Sequence, residues 1–282
     1  MNILLEKQSS TTLRRAKKRS WSLEDIQLSM QRNMQLHMTY FAQHVPAMEV
    51  LFEPDVTIVR SQIRDDYFNY VLSATFTENT VQTRINHVVQ LFASHQLPFT
   101  WEVGELDTPS NLGNLLLASG FTLSGESPGM YLDLTHLEPS NASRSLLFQR
   151  TESLEQLQDF CRVVVSAGEH PKILEWLYSK VPAAIYQEGA SLEMYVGYVD
   201  ATPVVAGIVL FYADVVGIYY ISTDPNHRRK GYATALMEHL LDRAKAQGYA
   251  MATLQATSEG KSLYKRLGFI ECCQFREYAK AP

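Results

Sequence analysis

Residues 224–234 read DPNHRRKGYAT and join a strand pattern to an amphipathic helical pattern. The first N–H groups of a helix have no intrahelical partner and lie at the positive end of its dipole, so phosphate oxygens bind there readily. Gly231 lets a ligand approach the backbone closely, and Arg228, Arg229 and Lys230 add positive charge. The stretch indicates a phosphate-binding strand-loop-helix unit, although a ligand-free basic turn has the same composition.

A second pattern lies one helix and one strand further on, where residues 263–269 read LYKRLGF. The first block, Arg-x-x-Gly-x-Ala after Pro225, and the second, Leu-Tyr-x-x-x-Gly-Phe, together resemble the GCN5-related N-acetyltransferase (GNAT) family in residues and in spacing. The resemblance covers residues 146–279. It implies an α/β fold with a twisted mixed sheet flanked by helices, and transfer of an acetyl group from acetyl-CoA to a primary amine.

The resemblance also implies the roles of individual residues. The loop amides would hold the pyrophosphate of acetyl-CoA, and the end of the preceding strand would pair with its pantetheine arm. Tyr264 would protonate the departing thiolate, because a phenol with a pKa of about 10 has comparable basicity. Thr257 stands where many family members carry Asn. The cofactor-binding residues implied are Ile221, Ser222, Thr223, Arg228, Arg229, Lys230, Gly231, Tyr232, Ala233, Thr234, Thr257 and Lys261.

The general base is not identified by the sequence. An amine attacks a thioester directly, so catalysis consists mostly of positioning and proton transfer. The strand at 215–221 carries no carboxylate, although many family members place a Glu there. Glu169, His170, Asp214 and Asp224 are candidates, and a water relay fits equally. The missing carboxylate also leaves an alternative function, a non-catalytic acyl-CoA-binding or interaction protein.

The first half of the chain repeats the order of the second. Residues 114–134 parallel residues 261–278, each with a short helix ending in Gly-Phe and then a strand. The loop at 75–80 contains no glycine, and Leu116 or Leu117 takes the place of Tyr264. The first half is therefore interpreted as a degenerate GNAT-like domain, and one acetyl-CoA per chain is expected.

The polar segment LEPSNASRS is the best linker in the chain and sets the expected domain bounds. We expect a basic N-terminal tail at 1–20, the degenerate domain at 21–136, the linker at 137–145 and the catalytic domain at 146–282. Capping boxes predict helix starts after Ser22 and Ser153.

The composition limits the class of protein. The 282 residues are 46% hydrophobic and 20% charged, with a net charge of −5, which indicates a globular chain and not a nucleic-acid binder. Three cysteines favour the reducing cytoplasm. The apolar stretch 204–221 predicts a buried hairpin rather than a membrane span, and the eight histidines show no metal-ligand spacing. The expected partner is a small-molecule or peptide amine acceptor.

Overall fold

The computed structural model describes residues 20–137, 146–168, 171–186 and 189–282. In these segments the chain forms helices and strands in the repeated order that the sequence predicts. The helices are α1 (Leu23–Tyr40), α2 (Val81–Ala93), α3 (Leu112–Ala118), α4 (Leu154–Ala167), α5 (Pro171–Tyr178), α6 (Tyr232–Ala246) and α7 (Lys261–Arg266). The strands are β1 (Met48–Glu53), β2 (Val56–Ser61), β3 (Tyr70–Leu72), β4 (Phe99–Val103), β5 (Thr122–Asp133), β6 (Leu147–Arg150), β7 (Leu192–Val199), β8 (Thr202–Tyr212), β9 (Val215–Thr223), β10 (Met251–Gln255) and β11 (Ile270–Lys280).

The described strands form one continuous mixed sheet in the order β1-β2-β3-β4-β11-β5-β10-β9-β8-β7-β6. The last strand of each half lies within the other half: β5 sits between β10 and β11, and β11 sits between β4 and β5. The predicted tandem arrangement of mixed sheets is therefore present, with the two sheets fused through exchanged strands. The predicted linker, apart from Leu137, and the predicted tail, apart from Ser20, lie outside the described residues.

Helix α1 joins the first half to the second. Ser22 caps it through a box with Asp25, as predicted, and Met30 is one of the buried residues of the helix. Asn33 is fully buried and donates its Nδ2 to the carbonyl oxygens of Leu210 and Tyr212, at 3.1 and 2.9 Å. Because a buried amide without partners is costly, these bonds fix α1 on the second half of the sheet.

Two predicted strands differ in extent from the structure. The sequence pattern predicts a strand over 67–72, but its first part is a 3-10 turn, Asp66–Phe68, because Asp65 accepts a hydrogen bond from the amide of Tyr67 and closes the turn. The pattern also predicts a strand over 130–134, but this strand begins at Thr122, since β11 pairs with residues 122–131. Because residues 122–128 are mostly polar, the sequence pattern did not predict that they form part of this strand.

The apolar stretch 204–221 forms the predicted hairpin of β8 and β9, turning at Ala213 and Asp214. Both turn residues have positive φ, of 58° and 62°, as a tight hairpin turn requires. Among the described residues, no helix combines the length and apolar character needed to cross a bilayer.

An ion-pair network links α6 to β7 and β6, the two strands at one edge of the sheet. Glu193 on β7 is buried and accepts from Arg243 Nη2 at 2.8 Å and from the Tyr195 hydroxyl at 2.8 Å, while Arg150 lies 3.5 Å away. Burial raises the pKa of Glu193, but the hydrogen bonds from Arg243 and Tyr195 outweigh it, so its pKa lies below the ordinary value.

Candidate active site

The loop predicted to bind phosphate joins β9 to α6. A 3-10 turn, Pro225–His227, follows β9, and the Asp224 carboxylate accepts from the amide of Asn226 at 2.9 Å. Arg229 and Gly231 both adopt left-handed backbone conformations, with φ of 63° and 82°. This alternation turns successive amides toward a common side, as in anion-binding nests.

The amides of this loop have no protein acceptor. Ala235 N bonds Gly231 O at 3.0 Å, but within the described residues no acceptor meets the backbone N–H groups of residues 228–234. A Cβ built on Gly231 would meet no atom within 4 Å, so the space in front of the backbone is open. The side chains of Arg228, Arg229 and Lys230 are exposed at the same position. The residues present therefore fit a bound pyrophosphate.

Beside this loop, β9 and β10 separate. The two parallel strands pair only at Val216–Ala252 and Gly217–Thr253. Beyond these positions β9 continues to Thr223 on the edge of β8, while the amide of Ala256 bonds the carbonyl of Pro128 instead. A wedge-shaped gap results, and among the described residues the backbone of 221–223 has no strand partner on that side. An extended ligand can pair there as an added strand.

A bulge shapes β9 at the gap. Ala206 faces Ser222 and Ile208 faces Tyr219, so Tyr220 and Ile221 together oppose Gly207. Tyr220 has a φ of 53°, which a bulge accommodates. As a result Tyr219 and Tyr220, although adjacent in sequence, both belong to the core cluster that α1 contacts.

Tyr264 lies on α7, which follows β10. Its side chain is 9% exposed, and its ring meets that of Phe269 edge-on, with the centroids 6.0 Å apart. Burial raises the pKa of Tyr264 to about 12, so the phenol is protonated at neutral pH. Its hydroxyl has no hydrogen-bond partner in the described part of the chain. A neutral phenol with an uncommitted proton suits a general acid.

Thr257 and Lys261 have partners of their own within the chain. Thr257 Oγ1 accepts from the amide of Gly260 at 3.2 Å, which stabilises the start of α7. Lys261 pairs with Glu271 at 3.0 Å. Their contacts with a cofactor stay predictions.

The structure describes the positions of two of the four candidate bases, Asp214 and Asp224. Asp214 lies in the β8–β9 turn, at the end of β9 away from the loop. Asp224 serves the 3-10 turn, and its hydrogen bond with His227, at 3.0 Å, lowers the pKa of its carboxyl. Glu169 and His170 lie outside the described residues. No group of three potential metal ligands occurs among the residues that the structure describes.

The matching positions in the first half are closed. Phe121 N bonds Leu116 O as Phe269 N bonds Tyr264 O, which identifies Leu116 as the counterpart of Tyr264. The amide of Thr77 bonds the hydroxyl of Thr80, and the amides of Thr80 and Val81 bond the carbonyl of Thr77. Three amides of this loop are therefore used within it, whereas none of the amides at 228–234 has an acceptor among the described residues.

The gap is also sealed in the first half. The amide of Thr108 bonds the carbonyl of Ala74 at 2.9 Å, and the amide of Phe76 bonds the carbonyl of Thr108 at 3.1 Å. These bonds continue the pairing of β3 with β4, whereas the corresponding strands β9 and β10 diverge. The sequence revealed the missing glycine but not this closure.

Sequence reasoning did not identify Gln255, the last residue of β10. Its Nε2 is buried and lacks a hydrogen-bond partner in the described segments. An unpaired buried amide at the edge of a gap is costly unless a ligand satisfies it. The signal available in the sequence was the polar residue Gln255 at the end of a mostly apolar strand.

Comparisons with known proteins relate the second half of the chain to one family. The profile of the Acetyltransferase (GNAT) family matches residues 152–269. A [ribosomal protein bS18]-alanine N-acetyltransferase from Escherichia coli (strain K12) is 34% identical over 68 residues, which cover 23% of this chain and 46% of that protein. An uncharacterized N-acetyltransferase, YsnE, from Bacillus subtilis (strain 168) is 31% identical over 65 residues, covering 21% and 43%. The chain therefore spans less than half the length of these curated relatives.

Solved structures share the fold over most of the chain. A GCN5-related N-acetyltransferase from Kribbella flavida superposes with a TM-score of 0.70 at 16% identity, covering 89% of this chain and 95% of that one. A tandem GNAT protein from the clavulanic acid biosynthesis pathway gives a TM-score of 0.62 at 11% identity, covering 92% and 94%. Residues 152–269 therefore match the model of the Acetyltransferase (GNAT) family, within a chain that has the fold of a tandem GNAT protein.

Proposed function

We propose that this protein transfers an acetyl group from acetyl-CoA to a primary amine, in a small molecule or a peptide, at the site in its second half. The observation that carries the proposal is the row of unpartnered amides at 228–234 beside the gap between β9 and β10. The N-acetyltransferase relatives support acyl transfer in general. We assign the reaction to the second half because, in the first half, three loop amides bond within the loop and the gap between the matching strands is closed.

In this proposal, the loop amides bind the two phosphates and the free edge at 221–223 pairs with the pantetheine arm. Acetyl-CoA supplies the thioester carbonyl. Positioning of that carbonyl beside the acceptor is the main contribution of the protein, since an oriented pair of reactants needs no further nucleophile.

Proton transfer completes the reaction. The amine nitrogen bonds to the carbonyl carbon, the carbon–sulfur bond breaks, and Tyr264 donates its proton to the departing sulfur. The proton lost by the nitrogen passes to water, from which the phenoxide recovers a proton. The raised pKa of Tyr264 keeps the phenol ready to donate at neutral pH.

The test is release of free CoA thiol by the purified chain, given acetyl-CoA and a panel of primary amines. We expect amine-dependent release in the wild type. Binding of acetyl-CoA without release for any amine would instead indicate a non-catalytic acyl-CoA-binding protein.

The three free cysteines fit a reducing compartment, and we propose that the reaction takes place in the cytoplasm.

A further inference from the structure

A cavity of about 500 Å³ lies between α1, the 3-10 turn at 66–68 and the middle of the sheet. It extends from Glu102 and Glu277, on β4 and β11, to Tyr220 on β9. Both halves of the chain contribute to its walls. No residue of the loop at 224–234 lines it, and the binding of acetyl-CoA at that loop does not explain why acidic and aromatic side chains line the cavity.

Two carboxyl groups face each other at one end of the cavity. Glu102 and Glu277 are direct partners in the antiparallel register of β4 and β11, so their side chains point to the same face of the sheet. Like charges in directly opposite positions destabilise a sheet. A pair in this arrangement breaks a local folding rule, which is expected at functional positions.

Glu102 has no partner. It is 8% exposed, and in the described part of the chain its carboxyl makes no hydrogen bond or ion pair, although it lines the cavity. Burial, and then the charges of Glu277 and Asp107, raise the pKa of Glu102 well above its usual range. Asp107 is buried as well, but it accepts from Gly104 N and Gln31 Nε2, both at 2.8 Å. Glu102 is therefore the carboxyl without a structural role.

Apart from Asp66, which adds a third carboxyl group, the other walls are mainly aromatic, with Met, Thr and Ser side chains among them. Tyr67, Phe68, Tyr70 and Tyr220 line the cavity, and no Lys or Arg is among its described lining residues. His37 also lines it, but burial lowers the pKa of His37 to about 3, so its ring is neutral. Aromatic faces and carboxylates both attract a cation, and ring faces add to the binding of an ammonium group.

Tyr220 is the lining residue of the cavity that is nearest in sequence to the proposed acetyl-transfer site. This residue directly precedes the free edge at 221–223, and its hydroxyl lies 3.2 Å from that of Tyr67. The strands β11 and β9 are three strand spacings apart, about 14 Å across the sheet. A ligand that fills the cavity therefore has one end at the carboxyl pair and the other at Tyr220, the residue next to the free edge at 221–223.

We infer that this cavity binds the acetyl acceptor, and that the acceptor is a primary amine carrying a second cationic group, which Glu102 and Glu277 hold while the free amine lies at Tyr220. This inference rests on the proposed function for the identity of the reaction. The binding of a dication to the cavity does not depend on it.

Calorimetric titration of linear α,ω-diaminoalkanes with three to eight carbons, each compared with the monoamine of the same length, tests the inference. We expect at least one diamine to bind about tenfold or more tightly than its monoamine, because a charge-assisted contact in a partly dry site contributes that much. Glu102→Gln and Glu277→Gln should each abolish this preference. Glu126→Gln is the matched control, since Glu126 lies on neighbouring β5 and pairs with Arg276 at the surface.

The outcomes separate the two proposals. If acetyl-CoA neither binds nor releases thiol but the diamine preference is present and lost in the two variants, the proposed function fails and the cation site stands. If no diamine binds better than its monoamine, or if Glu102→Gln keeps the preference, the cation site is refuted whatever the acetyl-CoA result. Unfolding curves of the Gln variants confirm folding, and we expect no loss of stability because Glu102→Gln removes an unpaired buried acid and Glu277→Gln changes an exposed residue.

Discussion

Replacing Gly231 by Ala should weaken acetyl-CoA binding by at least tenfold, or about 1.4 kcal/mol. The added methyl group stands in the open space before the loop amides, where nothing in the chain lies within 4 Å. The variant also forces a non-glycine residue to a φ of 82°, which costs about 1–2 kcal/mol of stability. The loss of affinity must therefore be separated from the loss of stability.

Gly189 provides the matched control. Its φ is 87° and a Cβ there also meets nothing within 4 Å, but it lies before β7, away from the loop. Gly189→Ala should show the same destabilisation in chemical denaturation and no change in calorimetric affinity for acetyl-CoA. Equal affinity in wild type and Gly231→Ala, or equal losses in both variants, would refute the role of the loop amides.

Two further predictions address the acid and a structural ion pair. Tyr264→Phe should lower kcat by about 10²–10⁴-fold with little change in acetyl-CoA affinity, as measured by thiol release and titration, and turnover within a few-fold of wild type would make Tyr264 a packing residue. Glu193→Gln should cost about 1–3 kcal/mol at pH 7, because it weakens charge-assisted bonds to Arg243, whose side chain is a third exposed. The folded pKa of Glu193 is depressed, so its contribution exists above the unfolded pKa of about 4.3 and disappears as pH falls through the folded value. The stabilities of the two proteins should therefore converge as the pH falls below about 4.3, and a difference that does not shrink with falling pH would contradict this account.

Local patterns in the sequence predicted most of the helices and strands and the position of the loop at 224–234. Ser22 and Ser153 begin α1 and α4 as their capping boxes predict, and Gly231 adopts the left-handed conformation that its place in the loop implies. These features depend on neighbours within a few residues, so a single sequence contains them.

Long-range pairing was beyond such patterns. The exchange of β5 and β11 joins segments about 150 residues apart in the sequence. The composition of neither strand indicates that it pairs with the other half of the chain. The Glu102–Glu277 pair is a consequence of that exchange, because only the β4–β11 register brings the two residues together. The closure of the first half at Thr108 likewise depends on a contact that no local motif marks.

The most direct test of the central claim is the stoichiometry of acetyl-CoA binding, because one half has an unbroken row of free amides beside an open gap, whereas in the other half several loop amides bond within the loop and the gap is closed. Calorimetric titration of the wild-type chain should give one equivalent per chain, and Gly231→Ala should weaken that single site. Two equivalents per chain, or one equivalent that Gly231→Ala leaves unchanged, would show that the first half binds the donor and would contradict the assignment.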